Sequence, residues 1–366
     1  MAEQGARPKV PKARSRILRV ARALTTPLLP DDYLEMINPL WSTRELRGRV
    51  ERIKRETADA VTIEIRPGHE WPGHVAGQYV RVGFDIDGVR HWRAYSLTSE
   101  PDRPDGFVSV TPKLLEGGKV TPHVHRGLRP GDLVFLSDVE GQFVLPDPLP
   151  RKLLFISAGS GVTPIMGMLR SLGRQDAMDD VVHIHSSRTP DDVIFGEELR
   201  ELARAHDGFL LCERHTASEG RIEPADIQRI CPDWHERESF VSGPGPLLDA
   251  LSEHWDAHGD CDRLHMERFQ PVIGGDGVAE GEGGTITFLK AGCEVEAPGD
   301  KPILVAGEEA GLELPFGCRM GICHTCVGRF RSGKVRDLRS GEVMDVEGVT
   351  CRTCVNAPEG PVEIEL

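Results

Sequence analysis

Six of the nine cysteines fall beyond residue 285, and three of them sit on one short stretch, Cys318-Arg-Met-Gly-Ile-Cys323-His-Thr-Cys326. The spacing C-x4-C-x2-C, with a fourth cysteine far downstream, suits a [2Fe–2S] cluster. That chemistry needs four thiolates around two irons. Gly317 and Gly321 let the loop turn tightly, so that backbone N–H groups point at sulfur and help set the potential. Cys351 and Cys354 both offer the fourth thiolate. The competing chemistry is zinc: Cys323-x2-Cys326 and Cys351-x2-Cys354 are paired knuckles, but a zinc site leaves Cys318 without a role. An odd, clustered cysteine set does not fit a disulfide scaffold.

Two further constellations carry polar chemistry. His91-Trp92-Arg93-Ala94-Tyr95-Ser96 places a cation, an aromatic and a hydroxyl within four residues, and Gly118-Lys119-Val120-Thr121 opens a helical stretch. A turn before a helix presents unpaired N–H groups to an anion. Leu153–Ala158 reads as a buried strand, followed by the Gly159-Ser160-Gly161 turn and a helix containing Thr163 and Pro164. Strand, glycine turn and helix form a dinucleotide crevice. Pro164 takes the place of the third glycine of the strict motif, and a lone Gly-x-Gly also fits an ordinary turn.

The elements that must position these groups divide the chain. Residues 45–147 carry short strands such as Val61–Ile65 and Tyr79–Val82 between Gly and Pro turns, which predicts a β-rich unit. Residues 151–269 alternate apolar strands with helical stretches, with strand candidates Lys152–Ser157, Val181–His185, Phe209–Cys212 and Ser239–Ser242. Residues 274–284 hold six glycines and read as a flexible linker. The expected division is 1–42 (basic tail and pre-barrel helical segment), 43–148 (flavin domain), 149–270 (nicotinamide domain), 271–284 (linker) and 285–366 (cluster domain).

The net charge of −14 argues against nucleic acid as a partner, which needs a basic footprint. No apolar run reaches the roughly 18 residues that span a bilayer. The basic start lacks the apolar core and cleavage site of a secretory signal, so a cytoplasmic protein is expected. Residues 1–28 oppose Arg7, Lys9, Lys12, Arg14, Arg16, Arg19 and Arg22 to Glu3 alone. As a helix, 14–24 would set Ile17, Val20, Ala21 and Leu24 against Arg16, Arg19 and Arg22, a pattern for peripheral contact with the inner face of a membrane or for a tail docked on the body.

Residues 285–366 resemble a plant-type ferredoxin throughout: a hairpin at Thr285–Leu289 and Cys293–Ala297, a short helix near Ile303–Ala310, and Cys354 with Pro358 four residues later, then an edge strand. The resemblance implies an α+β β-grasp fold and the ligand set Cys318, Cys323, Cys326 and Cys354. Arg93-x-Tyr95-Ser96 resembles the flavin motif of the ferredoxin–NADP⁺ reductase family. This implies an antiparallel β-barrel in which Arg93 meets the flavin pyrophosphate, Tyr95 packs on the ring and Ser96 lies near its reactive edge. Gly118, Val120 and Thr121 resemble that family's second phosphate motif, and Gly159-x-Gly161-x-Thr163-Pro164 its Rossmann-like nicotinamide turn. Ser242-Gly243-Pro244 and Glu267-Arg268-Phe269 resemble its later nicotinamide-side and ring-side motifs. Ser96, Glu267 and Phe269 are thus the candidate catalytic residues. Ser186, Arg188, Arg214 and Arg221 stand where NADPH-using members hold the 2′-phosphate. Glu213 stands where a serine is usual, and NADH stays open.

The module order implies an enzyme passing electrons from NADPH through FAD and the [2Fe–2S] cluster to an external acceptor, since flavin takes a hydride and releases single electrons. From about residue 30 the chain is similar to actinobacterial reductases serving acyl-CoA Δ9-desaturases, with Pro30–Ser42 the most distinctive stretch; that stretch reads physically as a helix capped at Asp31 or Asp32 over one end of the barrel. Phenylacetyl-CoA oxygenase and phthalate dioxygenase reductases share the order, the latter with FMN, which stays open beside FAD; a reductase for an aromatic-ring or phenylacetyl-CoA-type oxygenase or for cytochrome P450 is the second reading. A non-catalytic redox sensor is the remaining alternative, and it would not need the nicotinamide motifs.

Overall fold

The computed structural model describes residues 30–115, 118–269, 281–312, 314–316, 321 and 326–366. Four sheets in three units organise them. The first holds β1 (Arg47–Arg55), β2 (Val61–Pro67), β3 (Tyr79–Ile86), β4 (Val89–Ser96), β5 (Val108–Val110) and β6 (Leu133–Glu140) in the order β4-β3-β6-β1-β2-β5. All its pairings are antiparallel, and a bridge between Leu97 and Val110 joins its two edges into a barrel. Alternation along the strands turns Val50, Ile63, Ile65, Val80, Val82, Val134 and Leu136 inward. The helix Val120–Arg126 adds Val124 to that core.

Ahead of the barrel, the helix Pro30–Ile37 is tied down by Glu35, which pairs with Arg47 at 3.0 Å and accepts from Ser42 at 2.7 Å. Tyr33, Met36, Ile37 and Trp41 remain exposed. The basic 1–28 tail lies outside the described residues.

The second sheet is parallel: β7 (Leu153–Ala158), β8 (Val181–Ser187), β9 (Phe209–His215), β10 (Glu238–Gly243) and β11 (Leu264–Arg268), ordered β11-β10-β7-β8-β9. Strand order reverses between β7 and β10, and ligands of such sheets bind beyond the strand C-termini at that switch point. The helix Val162–Arg174 covers the sheet and docks it on the barrel: Arg170 donates to Thr98 O at 2.6 Å, and Arg174 to Asp102 O at 2.7 Å.

The third unit contains β12 (Gly284–Phe288), β13 (Cys293–Ala297), β14 (Val327–Ser332), β15 (Lys334–Asp337), β16 (Val343–Asp345), β17 (Thr350–Arg352), β18 (Asn356–Pro358) and β19 (Val362–Ile364). The helix Ile303–Glu309 packs Ile303, Leu304 and Ala306 into its core. Two expectations are corrected here. The final strand is not at an edge: β19 lies inside the order β13-β12-β19-β14-β17, parallel to β12 and antiparallel to β14, because Val362 and Ile364 belong to the core. The glycine-rich stretch does not extend as a free linker to residue 284. Gly283 accepts from Gly360 N at 2.8 Å and Gly284 opens β12, so the sheet holds its end. Residues 270–280 lie outside the described residues.

Candidate functional site

One cavity of about 300 Å³ gathers residues from all three units. The barrel contributes Tyr79, Arg93, Tyr95, Ser96, Thr111, Lys113, Leu115, Gly118, Val120 and Thr121; the nicotinamide unit contributes Ser160, Thr163, Glu267, Arg268 and Phe269; the third contributes Phe316.

Arg93 and Tyr95 share a face of β4, two residues apart, with buried Ser96 closing the strand. Arg93 is braced by donation to Trp92 O at 2.7 Å. The Tyr95 hydroxyl is buried without a hydrogen-bond partner among the described residues, and burial pushes its pKa far up. Glu267 Oε2 is buried and unpartnered in the same way. Buried polar atoms are rarely left unpaired, so two orphans on residues that line one cavity fit a polar cofactor that would complete them. At the other end, Thr121 Oγ1 holds Leu115 N at 2.9 Å, fixing the turn that opens the helix Val120–Arg126. These side chains suit a flavin with a phosphate end near Arg93, Lys113 and Thr121 and a ring end near Ser96, Glu267 and Phe269.

Burial raises the Glu267 carboxyl to about 7. A carboxyl with a higher pKa folded than unfolded binds its proton more tightly when folded, so it loses stability as pH rises from about 4.5 to about 7 and no more above. The full effect is roughly 3 kcal/mol. Glu267→Gln is expected to flatten this slope, and chemical melts of both proteins across that range check it; parallel pH dependences would reject the buried-acid assignment.

The nicotinamide turn is built by close approach. A Cβ on Gly161 would lie 2.1 Å from Ser242 O, so only glycine lets the β7 turn cross β10. Gly159 has φ +55°, and Thr163 Oγ1 donates to Ser160 O at 2.9 Å, closing the turn. Pro164 is buried in the helix that follows. Gly243 ends β10 beside Ala158, and Pro244 leads into the helix Gly245–His258. Because Ser160 and Thr163 also line the flavin cavity, the two sites meet where a nicotinamide must stack on the flavin.

The three arginines proposed for the 2′-phosphate differ. Arg188 and Arg221 are exposed, with no ion pair among the described residues. Arg214 spends its donors on Glu219 O at 2.6 Å, Gly220 O at 3.2 Å and Asp226 at 2.9 Å. It therefore secures the turn that carries Arg221. Glu213 is neutralised by a two-pronged pair with Arg200 at 2.8 and 2.7 Å. Ser186 is buried near the end of β8, one residue before Ser187.

In the third unit, Cys318 and Cys323 lie outside the described residues, while Cys326 and Cys354 are buried. Gly321 N–H donates to Cys354 Sγ at 3.3 Å. Arg352 donates to Gly321 O at 2.6 Å, and Thr353 holds Cys326 O through its N–H (2.9 Å) and hydroxyl (2.8 Å). Consecutive residues 352–354 thus grip the cysteine loop. Cys351 sits on β17 opposite Gly328, half-buried, its thiol pKa raised by burial. A buried thiolate with an N–H aimed at it fits an iron–sulfur cluster.

Phe316, Lys113, Tyr79 and Ser160 were not singled out from sequence. Lys113 pairs with Asp59 at 3.2 Å and Tyr79 donates to Glu140 at 3.1 Å; neither stands in a motif.

Comparison with known proteins assigns all three units. Residues 49–144 match an oxidoreductase FAD-binding domain, 155–252 an oxidoreductase NAD-binding domain and 286–359 a 2Fe-2S iron-sulfur cluster binding domain. The last match sets the zinc reading aside. An NADPH oxidoreductase of Mycobacterium tuberculosis is 45% identical over 351 residues, covering 95% of this chain and 91% of that protein. The glycine betaine monooxygenase reductase subunit of Pseudomonas aeruginosa is 32% identical over 317 residues, covering 79% and 86%. Among solved structures, phthalate dioxygenase reductase shares the fold with a TM-score of 0.58 at 20% identity, covering 88% of this chain and 98% of its own. The chain belongs to the NAD(P)H-dependent oxidoreductases of the ferredoxin-reductase type, with FAD-binding, NAD-binding and [2Fe–2S] domains in one polypeptide.

Proposed function

We propose that the chain is an NADPH-preferring reductase that feeds single electrons to a separate oxygen-activating protein, with a fatty acyl-CoA desaturase as the leading acceptor. The observation that carries the chemistry is the shared cavity, where the β7 turn, the orphaned Tyr95 and Glu267 groups and Phe316 converge. Bound flavin accepts a hydride and releases its electrons singly. The chain's own residues do the rest. Gly161 would admit the dinucleotide backbone, Tyr95 and Phe269 would flank the flavin ring, Ser96 and Glu267 would offer it a hydroxyl and a proton-holding carboxyl, and Cys318, Cys323, Cys326 and Cys354 would hold the cluster.

The desaturase reading draws on the resemblance of Pro30–Ser42 and on the basic 1–28 tail beside exposed Tyr33, Met36, Ile37 and Trp41, a combination suited to an anionic membrane surface. The second reading, an oxygenase reductase, draws on the likeness to the glycine betaine monooxygenase reductase of Pseudomonas aeruginosa. Reconstitution with NADPH and either a desaturase or a soluble oxygenase separates the readings by which acceptor turns over. Deleting residues 1–28 is expected to leave NADPH–ferricyanide activity unchanged and to lower turnover with a membrane-embedded acceptor. Absence of anionic-vesicle binding by the full chain would discard the membrane contact.

A further inference from the structure

Phe316 stands in two places at once. It packs on the core of the cluster domain beside Leu314 and lines the flavin cavity formed otherwise by the barrel and the nicotinamide unit. It is the cluster domain's contribution to that cavity among the described residues, and Cys318 follows two positions later. We infer that Phe316 is the positioning residue that docks the cluster domain at the flavin cavity and so sets the rate of electron passage from flavin to cluster.

The physical case rests on distance and rigidity. Electron transfer between cofactors weakens steeply with separation, so the domain holding the cluster must be fixed against the flavin. Interfaces between domains of one chain are otherwise prone to relative motion. An aromatic ring rooted in one core and seated in the neighbouring cavity removes that freedom. In sequence, Phe316 precedes the ligand candidate Cys318 by two positions. Each transfer would pass one electron from bound reduced flavin to the oxidised cluster; two transfers, with one proton released from the flavin, would empty one hydride equivalent, and the external acceptor would take the electrons onward. The inference rests on the family's electron path and is independent of which acceptor is used.

Anaerobic stopped-flow mixing of the full chain with NADPH, following flavin and cluster absorbance separately, tests it. Phe316→Ala is expected to slow cluster reduction several-fold more than it slows flavin reduction. Phe316→Tyr, which keeps the ring, is expected to restore the rate. The fluorescence and visible circular dichroism of the oxidised bound flavin should shift in Phe316→Ala and return in Phe316→Tyr, with iron content and the reduced-cluster EPR signal unchanged. If Phe316→Ala sheds its iron, Phe316→Leu, which keeps the apolar core, takes its place under the same criteria. Normal cluster reduction and flavin spectra in an iron-replete Ala or Leu variant would overturn the inference and leave Phe316 a core residue only. A wild-type chain that binds no flavin would instead refute the functional reading above.

Discussion

The Cys354→Ser variant is expected to lose its [2Fe–2S] cluster, and the Cys351→Ser variant to keep it. The two cysteines are three residues apart, and a cluster fixed in place accepts one of them. Cys354 is buried and receives the Gly321 N–H at 3.3 Å, the kind of contact that stabilises a thiolate. Gly321 is suited to this approach: its φ is +70°, and a Cβ there would press on Val355 at 2.9 Å. Arg352 and Thr353 grip the same loop through Gly321 O and Cys326 O, so the backbone delivers residue 354 to the ligand position. Cys351 is spent on β17, in register with Gly328. A serine hydroxyl is a poor iron ligand, so the loss at Cys354 should be near complete. Iron and acid-labile sulfide per chain, with the EPR signal after reduction, decide the matter. Flavin reduction by NADPH should survive in both variants. A lost signal in Cys351→Ser with a normal one in Cys354→Ser would reverse the assignment, and loss in both would point to ligation by the paired knuckles.

What could be read from sequence follows how local each piece is. Arg93, Tyr95 and Ser96 lie on one strand, and a strand's alternation makes their relation legible from three neighbouring positions. Gly159 and Gly161 are legible for the same reason, since a turn at a strand end leaves few residue choices. Phe316 reaches the cavity from the cluster domain and Lys113 and Tyr79 from distant points of the barrel, and no local spacing announces a wall assembled by packing. Arg214 looked like its neighbours because its partners are two backbone carbonyls and Asp226, and carbonyls carry no sequence signature. The place of β19 inside its sheet was hidden likewise. Val362 and Ile364 alternate as an edge strand's residues also would, and only the parallel pairing with β12 seats them centrally. The end of the glycine-rich stretch reads as linker by composition, yet Gly284 is a strand residue because its partners lie more than ten residues away on β13.

Replacing Arg188 or Arg221 by alanine is expected to weaken NADPH while sparing NADH. Both side chains are exposed at the nucleotide end of the parallel sheet, following β8 and β9. A charged hydrogen bond to a phosphate contributes about 1.5–3 kcal/mol, which is roughly a 10- to 150-fold rise in the NADPH Kd for each change. NADH lacks the 2′-phosphate and should shift little. The neighbouring negative charge does not cancel the site, because Glu213 is held by Arg200 through two contacts of 2.8 and 2.7 Å. Arg214 supplies the internal control. Its donors hold Glu219 O, Gly220 O and Asp226, so Arg214→Ala should loosen the turn bearing Arg221 and lower thermal stability as well as NADPH affinity. Steady-state kinetics with both coenzymes, alongside melting temperatures, separate the three variants. Raising the salt concentration should narrow the wild-type preference for NADPH, since exposed charge pairing is screened, and should change the Arg188→Ala and Arg221→Ala preference less. Equal losses for NADPH and NADH in Arg188→Ala and Arg221→Ala would remove the phosphate from these side chains and leave the coenzyme held by the β7 turn alone.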